Sequence, residues 1–196
     1  MKMNPMQSQS SKYEYFILFS EISAALWVHI RTFEITFRTF VHRTLSEAYN
    51  SSQWWLIEKL LASKDLRDFQ YVEKRLLTQK RAVTPLLVAH NMSFSFWIEL
   101  CSARYYEKVW RRFEVANPVL KDRRRDFYKK AREIRNLRNL IAHHAPIMRR
   151  NLLRDHAYLP ELTALLDPEL AEEVQKRSRV LDLLLNARLV GSGGGI

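Results

Sequence analysis

Residues 135–149 read Arg-Asn-Leu-Arg-Asn-Leu-Ile-Ala-His-His-Ala-Pro-Ile-Met-Arg, and they hold the side chains best suited to chemistry. Arg138, Asn139 and His143 put a guanidinium, a carboxamide and an imidazole on one short helical segment. A guanidinium presents a planar fork of donors to a phosphate oxygen. An imidazole gives or takes a proton near neutral pH without any shift of its pKa. Together they could handle a phosphodiester, and neither act needs a metal ion. Asn139, one helical turn before His143, could orient its ring or hydrogen-bond the phosphate.

The surrounding charge supports a polyanionic partner. Residues 104–154 carry 16 Lys/Arg against 5 Asp/Glu, while the remaining residues balance at 16 and 16. The whole formal charge of +11 therefore sits in about a quarter of the chain. A run of charge often marks only a solvated helix face. Here the imbalance is local and mostly arginine, which favours nucleic acid over an anionic membrane or an acidic protein. Arg135 and the run Arg123, Arg124, Arg125 are the residues expected to hold flanking phosphates. Arg111 and Arg112 read equally well as a solvated face or a weak RNA contact.

An element must position this set, and the pattern predicts a basic helix from about Leu120 to Ala145, stopped by Pro146. Each residue of an ideal helix turns about 100°, which puts Ile134, Leu137, Leu140 and Ile141 on one arc. Arg135, Arg138, Asn139, Ala142 and His143 share about 40° to 180° of the opposite side. His144 falls inside the apolar arc and reads as a core or helix-end histidine, so His143 is the better proton-transfer candidate.

The rest of the chain reads as helix. Leu26, Ile30, Phe33, Phe37, Phe40 and Val41 make an apolar stripe in a long helical pattern from Tyr13 to about Tyr49, with a possible break near Ser23. Glu34 and Arg38, at i,i+4 on that stretch, are read as a helix salt bridge supporting the site. Asn50-Ser51-Ser52 interrupts the chain before a short helix carrying Trp54 and Trp55. Residues 65–82 form a charged amphipathic helix with Leu66, Phe69, Val72, Leu76 and Leu77 inward. Pro85 opens a further helical segment, and Asn117-Pro118 closes the one ending near Phe113. Two more helices are expected over about 150–166 and 168–189. No stretch alternates at period two, so the expected class is all-α, in one domain over 13–190, with a disordered tail at 1–12 and a flexible one at 191–196.

Composition excludes several functions. All four glycines lie at or beyond Gly191, so residues 1–190 hold no P-loop, dinucleotide fingerprint or nucleophile elbow. The lone Cys101 rules out an internal disulfide and a cysteine zinc cluster, and suits a reducing cytoplasm. The apolar stretch Ile22 to Val41 is interrupted by His29, Arg31, Glu34 and Arg38, unlike a conventional membrane span. No apolar signal region precedes Tyr13. A cytoplasmic protein with no cofactor, no metal and no membrane partner is expected.

An Arg-x4–6-His spacing alone is weak, since His156 scores by accident with Arg149 and Arg150. The longer string Arg135 to Ile147 closely resembles the signature of the Abi-like branch of the HEPN superfamily. Arg138, Asn139 and His143 match that motif residue by residue. Phe33-Glu34-Ile35-Thr36-Phe37-Arg38 is similar to the family's early helix. Met92-Ser93-Phe94-Ser95-Phe96-Trp97 is similar to a segment where the family usually has Ser-Phe-Gly-Phe-Trp, and the spacing of Leu159 to Arg179 fits as well. The resemblance covers about residues 13–189, with Ser95 in place of a glycine and Thr39 in place of a common asparagine.

The resemblance implies a HEPN-like helical bundle with additional helices. It further implies a composite, metal-independent endoribonuclease site across a two-fold, in a toxin or abortive-infection effector. In that reading Arg138 stabilises phosphate charge and His143 transfers the proton. An antitoxin, either a structured RNA or an acidic protein, would restrain the enzyme. Two other readings stand beside it: a non-catalytic RNA-binding protein using the same groove, and a DNA-binding helical regulator, for which no helix-turn-helix string is present. Phe94, Phe96 and Trp97 are read as core before base-stacking platform.

Overall fold

The computed structural model describes the backbone of residues 5–193 and the side chains of 13–187. Among the described residues every regular element is helical and none is a strand, so the protein is all-α. The first helix, α1 (Pro5–Ala48), opens at a proline, a residue whose fixed φ suits a helix start. It runs unbroken for about 66 Å. At Ser23, where a break was conceivable, the hydroxyl instead bonds the Phe19 carbonyl at 2.8 Å, which keeps it inside the helix. The helix also covers residues 5–12, within the stretch expected to be disordered; residues 1–4 lie outside the described residues.

The buried stripe of α1 continues the predicted one: Ile22, Leu26, Ile30, Phe33 and Val41 have no exposed surface. One 18-residue stretch of α1 is long and apolar enough, by length and composition, to cross a membrane. Its buried stripe belongs to the core of the bundle.

Around α1 the chain folds as α2 (Ser63–Thr78), α3 (Pro85–Asn91), α4 (Phe94–Glu99), α5 (Arg111–Ala116), α6 (Arg124–Ala142), α7 (Leu152–Ala164), α8 (Pro168–Lys176) and α9 (Val180–Gly193). Trp54 to Leu56 form a single 3-10 turn, and a π-helical turn over Tyr106–Trp110 leads into α5. In α2, Phe69, Val72 and Leu76 are buried as expected, but Leu77 is 65% exposed because it lies one residue, about 100°, off the stripe. The expected final helix divides in two, α8 and α9, at Arg177–Arg179. The described part of α9 extends through Gly193, into the expected tail, and residues 194–196 lie outside the described residues.

Two aromatic clusters fix the helices. Trp54, Trp55, Phe69, Phe96 and Trp97 interlock, with Trp55 stacked on Phe69 at 4.5 Å. Phe127 of α6 touches Phe37 at 5.3 Å and Trp110 at 5.4 Å, and so sets the register of α6 on α1. Burial of Phe94, Phe96 and Trp97 makes them core and removes them as stacking surface for bases.

A body without glycine must still turn. Asn50, Lys59, Lys80, Asp122 and His144 all adopt positive φ, a region that favours glycine. At three helix ends the same pair of bonds closes the turn. After α6, the Ala145 N–H bonds the Leu140 carbonyl at 2.8 Å and His144 N–H the Ile141 carbonyl at 3.1 Å. Residues 49–51 and 79–81 repeat this pattern.

Candidate active site and nucleic-acid interface

The basic helix α6 buries Phe127, Ala131, Ile134 and Leu137, which turns its arginines outward. It runs antiparallel to α1: Phe127 meets Phe37, and eleven residues later Arg138 reaches back to Glu34 and Trp27. The Arg138 Nε lies 3.5 Å from Glu34 Oε2, and its guanidinium lies 5.8 Å from the Trp27 ring centre. The Nε is buried and makes no well-directed hydrogen bond, so the Glu34 contact is an ion pair of poor hydrogen-bond geometry. The side chain is 32% exposed.

This placement corrects the expected Glu34–Arg38 pair. No salt bridge joins them; Arg38 Nη1 instead donates to the His90 carbonyl at 3.3 Å, and burial lowers its guanidinium pKa. The i,i+4 spacing allowed a local pair, but the register of α6 offered Glu34 a partner across the helix interface. Trp27 escaped the sequence reading because only that register brings it to Arg138.

Asn139 and His143 lie on the exposed side of the last turn, four residues apart. His143 is the C-cap of α6, and its backbone N–H bonds the Asn139 carbonyl at 3.1 Å. Its ring makes no hydrogen bond to any described residue. Arg138 and His143 stand about 140° apart around the helix and do not touch within one chain. His144 is exposed as well, which corrects its core reading and keeps its helix-end one. Ideal-helix angles cease to apply past the C-cap, and the positive φ of His144 swings its side chain out of the apolar arc.

The other expected contacts divide. Arg135 is half-buried and donates to Asn136 Oδ1 at 3.1 Å. Arg123 and Arg125 are exposed, while Arg124 donates to the Cys101 carbonyl at 3.1 Å and stacks near Tyr106 at 5.9 Å. This run lies at the opposite end of α6 from His143, about 28 Å away along the axis. The two groups cannot contact the same phosphate.

A buried ionic clasp was not foreseen. Asp155, with no exposed surface, receives Arg150 Nε at 2.7 Å and Arg154 Nη2 at 3.0 Å. Both arginines also reach Glu133 of α6, at 3.0 Å and 3.2 Å. Burial works to lower the pKa of Arg150, but the hydrogen bonds and charges of Asp155 and Glu133 together outweigh it and raise the pKa. Arg149 and Arg150 looked like accidental matches to His156; Arg150 instead ties α7 to α6 and anchors the turn after His143. Only the adjacency of Arg154 and Asp155 hinted at it.

Several of the positive charges in 104–154 are thus spent on structure, among them Arg104 on Asp65 and Lys130 on Asp126 and Glu161. Arg112, Lys121, Arg123, Arg125, Lys129, Arg132, Arg135 and Arg149 have no carboxylate partner among the described residues, so an uncompensated basic surface remains. No family model matches the chain, and no curated protein or solved structure matches it either.

Proposed function

We propose that the chain is a metal-independent endoribonuclease of HEPN type, acting in the cytoplasm as a toxin or abortive-infection effector. The observation that carries this reading is the end of α6. There a guanidinium steadied by Glu34 and Trp27 precedes an unpartnered imidazole by five residues, beside an uncompensated basic surface. In-line cleavage needs a base that takes the proton of the ribose 2′-OH as its oxygen bonds phosphorus. It also needs an acid that protonates the departing 5′-oxygen as the other P–O bond breaks. His143 supplies one imidazole. The resemblance to HEPN proteins puts the other on a second copy across a two-fold, with an Arg138 from either copy on the phosphate oxygens. Asn139, one turn before His143, orients its ring or hydrogen-bonds the phosphate. Restraint in the cell falls to a polyanionic antitoxin on the basic surface, with a structured RNA favoured over an acidic protein.

The engagement of Arg138 by Glu34 favours a second reading, a non-catalytic RNA-binding protein in which that arginine is structural. Purified protein incubated with total RNA and tRNA in EDTA separates the two. Cleavage by the wild type and none by His143→Ala supports the enzyme; intact RNA bound equally by both supports the binding protein.

A further inference from the structure

The helices α1, α8 and α9 border a half-open cavity of about 440 Å³. Its α1 residues point about 140° around that helix from Trp27 and Glu34, so it is separate from the Arg138 site. The walls are aliphatic: Ala24, Ala25 and Val28 from α1, Leu170 and Val174 from α8, and Leu183 from α9.

A polar chain closes one side. Ser178, in the link between α8 and α9, places its Oγ 2.8 Å from His29 Nε2 and 3.3 Å from His156 Nε2. The two rings meet edge-on at 5.1 Å, and each is only 4% exposed. The single hydroxyl proton can serve one imidazole, so the other must donate its own N–H to Oγ. His29 Nδ1 is left with no partner among the described residues, on a ring that lines the cavity. Burial holds His29 neutral, with its pKa pushed down to about 4.

This lining discriminates among occupants. Bases are held by aromatic platforms, and the walls have none. A carboxylate or phosphate on the neutral floor would have no cation there to offset its desolvation. At the rim, the exposed Glu21, Glu173, Arg177 and Arg179 balance to no net charge, and Arg177 is paired with Glu173 at 3.1 Å. The volume equals that of about fifteen waters, enough for roughly a dozen non-hydrogen atoms.

We propose that this cavity binds an uncharged aliphatic molecule carrying one hydroxyl or carbonyl oxygen, with that oxygen on His29 Nδ1 and the chain along the aliphatic walls. A concave, mostly apolar surface with a few convergent polar groups is the usual make-up of a small-molecule site.

The test uses the full chain with 1-octanol, octanoate and adenosine as probes, read by saturation-transfer NMR and thermal unfolding. Saturable 1-octanol binding is expected, with Tm raised about 3–6 °C at ten times Kd. Octanoate should bind at least tenfold more weakly, and adenosine should not bind. Ala24→Trp, at an exposed lining position, should abolish the shift while the protein stays folded. Val28→Trp, which is also exposed and lining, serves should the first variant not fold. Absence of saturable binding, equal binding of octanoate, or binding that survives the tryptophans overturns the proposal. So does a change of oligomeric state in Ala24→Trp by light scattering, which would assign the face to a second copy of the chain.

Discussion

At the scale of the residue, the account rests on His143 and the contrast with its neighbour. Both histidines are exposed, yet their backbones differ: His143 caps α6, while His144 sits at φ 54°. Glycine tolerates that φ without strain, so His144→Gly removes the imidazole and relaxes the turn together. His144→Gly is expected to keep full cleavage activity and to raise Tm by up to about 4 °C. His143→Ala is expected to leave Tm unchanged and to cut activity about 10²- to 10⁴-fold, the usual contribution of a proton-transfer group. Inactivity of His144→Gly with retained cleavage by His143→Ala would reverse the two roles. The types and spacing of Arg138, Asn139 and His143 were legible in the sequence, because a helix fixes the relation of neighbours. Trp27 and the Arg138–Glu34 pair were not, since they depend on how Phe127 registers against Phe37.

At the scale of the element, α7 is held by its buried groups, and these predict how the fold fails. Asp155 is fully buried between two arginines. Removing its charge leaves both arginines with Glu133 alone, so Asp155→Asn should cost about 1–3 kcal/mol in urea unfolding. A loss below about 1 kcal/mol would mean that water already screens the clasp. His29 and His156 contact each other across the α1–α7 interface, and burial lowers both pKa values, that of His29 to about 4. A lowered folded pKa means the unfolded chain binds the proton first. Stability is therefore full above about pH 6.5 and falls as pH drops toward 4, by roughly 3 kcal/mol for His29. Urea midpoints measured from pH 7 to 5 should decline steadily, and a flat profile would contradict this. The helices themselves were readable from apolar period and from proline. Their ends were read less well: α6 stops at Ala142, three residues before the expected end, because closure by His144 and Ala145 precedes Pro146. The division between α8 and α9 lay hidden because Arg177–Arg179 contains neither glycine nor proline.

At the scale of the whole molecule, charge imbalance pointed to a polyanion, and the fold spreads that charge over two ends of α6. Arg123 and Arg125, about 28 Å from His143, would hold RNA away from the cut. Replacing Arg125 with Gln should weaken binding across all sequences and lower the salt slope by about one, without moving the cleaved bond. A shifted cleavage position would place that end of α6 at the scissile phosphate instead. The central claim is that two imidazoles activate a ribose 2′-OH across a dimer without a metal. The most direct test maps the product ends of RNA cut in EDTA, beside a substrate 2′-O-methylated at the cleaved position. The account predicts 2′,3′-cyclic phosphate and 5′-OH ends and an uncut methylated substrate. Cleavage of the methylated RNA, or 3′-OH and 5′-phosphate ends, would contradict it.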